Sequence, residues 1–262
     1  MARSLTLITG ASGGIGADLA RVFARNGHDL ALASRNGRAL EALAGEIAAT
    51  GRPRPLVFAS DLALRESAEE LVAAVAQAGA QVEILVNNAG FGLAGQAADL
   101  PRESQLELID LNIRALADLT LRLLPQIAAN KGRILNVASI VAFCPGPGMA
   151  MYYASKAFVL SFSQALSQEL AGRVTVTALC PGATATGFAA RAGFSADMAV
   201  GRVKGASALS VAEAGYAGLM AGRRVVVPGF ANKVLVFGAS LAPRAWLLPA
   251  VARMQAKRKV SA

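Results

Sequence analysis

The chain is poor in the residues that build metal centres, disulfide frameworks and histidine-based hydrolases. Two cysteines, Cys144 and Cys180, stand among 262 residues. That is too few for a disulfide scaffold or a thiolate cluster, and they read as small buried apolar side chains. The single histidine, His28, follows Gly27 at the mouth of a strand. A Ser-His-Asp relay would have to rest on it, and nothing around it supplies the partners, so it reads as a turn residue. No metal site is expected. Long apolar runs are missing too: 54% of the residues are hydrophobic, yet no run of about eighteen uncharged ones occurs, which argues against a conventional spanning helix. The opening run Leu5-Thr6-Leu7-Ile8 is too short for a signal peptide, so a cytoplasmic protein is expected.

Acidic residues are absent after Glu213. Beyond it lie Arg223, Arg224, Lys233, Arg244, Arg253, Lys257, Arg258 and Lys259, so the formal charge of +9 belongs largely to the tail. These basic residues are interspersed with apolar ones and no nucleic-acid motif accompanies them, so nucleic-acid binding is not expected.

What the chain does have is alternation. Short apolar strands are expected at 4–9, 29–33, 56–60, 84–87, 133–138, 175–179 and 225–227. Amphipathic helices are expected at 14–26, 37–50, 65–78, 102–130 and 151–171, with Pro125 kinking or ending the fourth. Strands that are apolar throughout suit a parallel sheet covered on both faces, a single-domain doubly wound α/β fold. Residues 1–228 would form that domain and residues 229–262 a helical appendage, with helices at 231–241 and 244–259 broken at Ala242-Pro243. Trp246, Leu247, Leu248, Val251 and Met254 would share the apolar side of the second.

Three local patterns carry chemistry. Thr9-Gly10-Ala11-Ser12-Gly13-Gly14-Ile15-Gly16 lies between the first strand and an apolar helix. Glycines there let the backbone approach a pyrophosphate, and the helix start offers free N–H groups. The second strand ends in Ser34-Arg35, where an NAD-binding chain would carry a carboxylate for the ribose 2′-hydroxyl; a guanidinium suits the 2′-phosphate of NADP. Tyr152 and Lys156, four apart, share a helix face. A cation beside a tyrosine lowers its pKa and prepares it for proton transfer. Ser139, at the end of the fifth strand, can donate to or accept from a substrate oxygen. Tyr153 has no lysine four residues on, so the role falls to Tyr152.

Together with Asn88-Ala89-Gly90 and Asn112, this ordered set resembles the short-chain dehydrogenase/reductase family along residues 4 to about 190. The resemblance implies that Gly10, Ser12, Gly14, Ile15 and Gly16 form the cofactor turn and that Asp61 meets the adenine edge. Asn88, Ala89 and Gly90 would line the adenine ribose. Pro181, Gly182, Thr184 and Thr186 would stand near the nicotinamide. Lys156 would also bind the nicotinamide ribose, and Asn112 would bend its helix to anchor a water in a proton relay. It also implies a small-molecule substrate and a homodimer or homotetramer. The expectation is therefore an NADP(H)-dependent oxidoreductase. The stretch 187–210, rich in Ala, Gly and Phe, points to an apolar ketone, aldehyde or acyl substrate. Two other readings stay open: a cofactor-binding regulatory or scaffold protein on the same fold, and a membrane-surface or acidic-partner binding protein acting through its tail. The tail would pack on the core or a partner subunit, or lie in an anionic membrane interface led by Lys257, Arg258 and Lys259 and deepened by Trp246.

Overall fold

The computed structural model describes residues 3–188, 192–193 and 206–256. In chain order it runs β1 (Arg3–Thr9), α1 (Gly14–Arg25), β2 (Leu30–Ser34), α2 (Gly37–Ala49), β3 (Leu56–Ala59), α3 (Ser67–Gln77) and β4 (Ala80–Asn87). Then follow α4 (Arg102–Ile109), a π-helical turn (Asp110–Ala115), α5 (Leu116–Ala129), β5 (Arg133–Val137), a 3₁₀ turn (Ile140–Phe143), α6 (Ala150–Glu169) and β6 (Thr175–Leu179). The chain continues through β7 (Thr184–Ala185), β8 (Ala206–Ser207), α7 (Ala208–Met220), β9 (Val225–Val226), α8 (Phe230–Leu241) and α9 (Arg244–Ala256).

The main sheet is parallel, in the order β3-β2-β1-β4-β5-β6-β9. The period-2 alternation of strand side chains divides the core in two. Ile8, Leu30 and Leu32 face α1, α2 and α7. Leu7, Ala31 and Ala33 face the layer of α3, α5 and α6. Strand order reverses between β1 and β4, so a crevice opens at their carboxyl ends, where open α/β sheets bind ligands.

α7 (Ala208–Met220) is a helix that the sequence pattern did not announce, and three expected elements differ in their bounds or course. β4 begins at Ala80 rather than residue 84. Gln81 and Glu83 alternate with buried Val82 in a half-covered strand start, which an all-apolar template passes over. The expected 102–130 helix is interrupted by the π turn at Asp110–Ala115. α5 runs through Pro125 to Ala129. Pro125 and Leu121 are exposed, so the carbonyl that Pro125 cannot pair is left to water.

The tail does form two helices, but its apolar side chains divide. Leu247 and Val251 pack inward against Met149, Tyr152 and Tyr153. Trp246, Leu248 and Met254 are exposed, against the expectation of one common apolar face. Lys257, Arg258 and Lys259 lie outside the described residues, as does most of the 187–210 stretch.

Candidate active site

The glycine turn follows β1 at the reversal point. Gly10 has a positive φ of 64°, a region open to glycine at little cost. At Gly16 the constraint is space: an added Cβ would stand 2.3 Å from the Gly10 carbonyl oxygen and 2.4 Å from Asn88 Nδ2. Asn88 clamps the turn by donating from Nδ2 to the carbonyls of Thr9 (3.0 Å) and Gly10 (3.1 Å). Thr9 Oγ1 in return accepts from the backbone N–H groups of Asn88 (3.0 Å) and Ala89 (3.1 Å). Thr9 was not among the expected site residues; its place at the end of a strand beside the glycines was the available signal. α1 starts at Gly14 after Gly13, with no side-chain cap and no acidic residue in its first turn. Its N–H groups and positive dipole end therefore remain open to an anion, and the cradle fits a dinucleotide pyrophosphate. Thr186 closes over it, its Cγ2 3.1 Å from where a Gly14 Cβ would be.

At the end of β2, Ser34 is buried, and its Oγ accepts from the Asn36 N–H at 3.2 Å. Asn36 caps α2 by accepting from Ala39 N at 3.1 Å. Arg35 is exposed and faces two carboxylates, Glu107 at 3.5 Å and Asp61 at 3.9 Å. Glu107 was missed because it lies 72 residues along the chain. Asp61 Oδ1 also accepts from Ala63 N.

Beyond the turn, α6 carries Tyr152 and Lys156 on one buried face. Lys156 Nζ donates to the Val137 carbonyl at 2.8 Å and stands 5.9 Å from the Tyr152 ring centre. Burial lowers the Lys156 pKa to about 8, against a smaller opposing pull from Cys180. Burial pushes the Tyr152 phenol well above the usual tyrosine value, hydrogen bonding with Ser139 opposes this, and Tyr153 adds to it. The expectation that Lys156 brings Tyr152 down therefore does not describe this pair of side chains. The ammonium is turned toward a backbone carbonyl, and desolvation of the phenol dominates. Ser139 Oγ donates to the Pro181 carbonyl and accepts from Val141 N, both at 3.3 Å.

Asn112 lies in the π turn. Its Oδ1 accepts from Phe91 N (3.1 Å), and its Nδ2 donates to Phe91 O (2.9 Å) and Ser155 Oγ (3.1 Å). Single π-type turns inside helices are frequent at functional sites. Gly90 is the closing piece, since a Cβ there would meet Asn112 Oδ1 at 2.9 Å and stand 3.6 Å from Lys156 Nζ. Thr184 donates to the Gly182 carbonyl at 3.0 Å, and Gly182 itself is overlaid by Asn232 of α8.

The open side of Tyr152 is apolar. Phe188 lies 5.2 Å from its ring centre, and Met149, Leu247 and Val251 belong to the same cluster. Gln255 of α9 donates to the Tyr153 hydroxyl at 2.7 Å. The tail thus reaches the neighbour of Tyr152, a contact across 102 residues that no local pattern announces. His28 lies elsewhere, 3.2 Å from the Tyr216 hydroxyl and edge-on to Phe23. Among the described residues no group of His, Cys, Asp or Glu could hold a metal ion, and no helix is long and apolar enough to cross a membrane.

A family model described as short chain dehydrogenase matches residues 4–194. The sulfoacetaldehyde reductase of Chromohalobacter salexigens is 39% identical over 69% of this chain and 72% of its own length. The very-long-chain 3-oxoacyl-CoA reductase of Coprinopsis cinerea is 32% identical over 63% of this chain, and the match spans only 49% of that relative. Among solved structures, a short-chain dehydrogenase from Sphingobium yanoikuyae in complex with NADPH superposes with a TM-score of 0.79 at 31% identity, covering 99% of this chain and 96% of the other.

Proposed function

Because the chain belongs to the short-chain dehydrogenase family and is an oxidoreductase of alcohol or carbonyl groups, we propose that it is an NADP(H)-dependent reductase of apolar ketones, aldehydes or acyl carbonyls. The observation that carries this reading is the convergence of Ser139, Tyr152, Lys156 and Asn112 beside the Gly10–Gly16 turn. A bound nicotinamide dinucleotide supplies or accepts the hydride.

The chain's own residues handle the oxygen and its proton. Tyr152, whose buried phenol holds its proton firmly, donates it to the substrate oxygen as negative charge develops there. Ser139 donates a hydrogen bond to the same oxygen and polarises the carbonyl. Lys156 spends one of its three N–H donors on Val137, leaving two for a ribose and for drawing Tyr152 toward the phenolate after transfer. Both Nδ2 hydrogens of Asn112 are taken by Phe91 and Ser155, so a relay water would donate either to the second lone pair of Oδ1 or to a backbone carbonyl of the π turn.

Gly10, Ser12, Gly14, Ile15 and Gly16 hold the pyrophosphate; Asp61, Asn88, Ala89 and Gly90 the adenosine side; and Pro181, Gly182, Thr184 and Thr186 the nicotinamide side. Arg35, with Ser34 in place of a carboxylate, favours a 2′-phosphate. Phe188, Met149, Leu247 and Val251 support an apolar substrate, since a site so poor in polar anchors rewards apolar burial. The two relatives are named for carbonyl compounds as unlike as sulfoacetaldehyde and a very-long-chain 3-oxoacyl-CoA, so membership of the family does not by itself choose the substrate. A homodimer or homotetramer working in the cytoplasm is part of the same reading.

NADPH and NADH oxidation across a panel of bulky ketones, aldehydes, β-ketoacyl thioesters and sugars tests it. The expected result is turnover of apolar carbonyls with NADPH. Turnover of sugars alone, or with NADH alone, would overturn the proposal.

A further inference from the structure

α8 turns its large apolar side chains outward. Phe230, Val234, Phe237 and Leu241, spaced i, i+4, i+7 and i+11, form one stripe that is exposed along its whole length; Phe230 is 82% and Phe237 68% exposed. The inward side carries Asn232, Val236 and Ala239, all partly covered, with Asn232 lying over Gly182. An ordinary surface helix has the opposite arrangement, apolar side in and polar side out. On α9, Trp246 is 75% exposed and Met254 is exposed as well.

Charge identifies the occupant. Lys233 borders the stripe, Arg244 and Arg253 are exposed on α9, and no acidic residue follows Glu213. A second copy meeting this face across a twofold axis would set basic residues against basic residues, with no acid from either tail to pair them. A bilayer with anionic headgroups satisfies both properties, taking the apolar stripe into the acyl boundary and the lysine and arginines at the phosphates. No described helix is long and apolar enough to span, and helices that carry an apolar stripe bordered by basic residues bind bilayers by lying in the interface plane.

We propose that the outward face of α8 and the start of α9 docks the protein on anionic lipid surfaces. Leu247 and Val251, on the inward side of α9, pack in one cluster with Met149 and Tyr152, so docking would hold the proposed substrate side near the lipid; only this consequence rests on the proposed reductase function.

Flotation of the full chain with vesicles of phosphatidylcholine and phosphatidylglycerol, and with phosphatidylcholine alone, tests the docking without reference to activity. Trp246, the single tryptophan, reports in parallel. The expected result is co-flotation with the anionic vesicles at low salt and a blue shift of Trp246 emission. Lys233→Glu should weaken binding by roughly tenfold, and Phe230→Ser with Phe237→Ser should reduce flotation to background while the melting temperature holds. Absence of flotation at low salt would overturn the proposal. So would a loss of dimer on sedimentation in the double serine variant without any lipid association, which would give the stripe to a second copy.

Discussion

On the cofactor side of the cleft, Gly10 and Gly16 are held by backbone contacts and by the Asn88 clamp, with no room for a Cβ. On the proposed substrate side the neighbours of Tyr152 are side chains: Met149, Phe188, Leu247 and Val251, two of them delivered from the tail. A surface made of backbone tolerates almost no substitution, because no rotamer can relieve a clash with a carbonyl. A wall of side chains can be rebuilt residue by residue. One fold can therefore keep one cofactor chemistry while its substrate changes.

The contrast breaks most visibly at Gly16. Gly16→Ala forces a Cβ against the Gly10 carbonyl, so α1 must shift relative to the turn. NADPH affinity should fall by at least about 10²-fold, with roughly 2–3 kcal/mol of stability lost, read by fluorescence titration and thermal unfolding. Leu247→Ala should leave NADPH affinity alone and raise KM for apolar carbonyls by about tenfold. Equal effects of both changes on cofactor binding would erase the distinction.

At the outer rim of the proposed cofactor side stands Arg35, exposed and charged. Arg35→Ala should reduce the NADPH-over-NADH preference by roughly 10- to 150-fold, the scale of one charge-assisted contact of about 1.5–3 kcal/mol. Glu107→Gln should strengthen NADPH binding, because Glu107 now competes for the guanidinium. Isothermal titration with both cofactors checks both changes, and an unchanged preference in Arg35→Ala would move the phosphate elsewhere.

The buried ammonium of Lys156 lies between the two sides. Lys156 titrates at about 8 in the fold against 10.5 when unperturbed. Between those values the unfolded chain binds more protons, so this group's contribution to stability rises with pH. Its burial cost, about 3 kcal/mol at most, is fully present below pH 8 and is relieved toward pH 10.5. Lys156→Met lacks this cost. Its melting temperature should exceed the wild type's most below pH 8, with the gap closing as pH rises. A constant gap would mean that the lysine is not titrating there.

The strands of the main sheet and the helices α1 to α6 were legible because apolar periodicity survives in them, whereas α7 (Ala208–Met220), buried in the core, was not foreseen because its small residues Ala and Gly blur the apolar period. The site's anchors were legible because Gly10–Gly16, Ser139 and Tyr152–Lys156 are local patterns. The unread features are long-range or depend on orientation. The Arg35–Glu107 approach and the Gln255–Tyr153 bond join distant segments. The π turn at Asn112 arises where its side chain is drawn to Phe91. The tail's helices were foreseen but not which way they face, because α8 reverses the usual rule and composition cannot report that.

The two adjacent tyrosines give the most direct test of the proposed proton donor. Steady-state NADPH oxidation should be measured for Tyr152→Phe and Tyr153→Phe with the best apolar carbonyl substrate, alongside NADPH affinity. The expected result is a loss of at least about 10²-fold in kcat for Tyr152→Phe with cofactor affinity retained, and a much smaller change for Tyr153→Phe, whose hydroxyl is already engaged by Gln255. Near-normal turnover in Tyr152→Phe, or inactivity confined to Tyr153→Phe, would contradict the assignment.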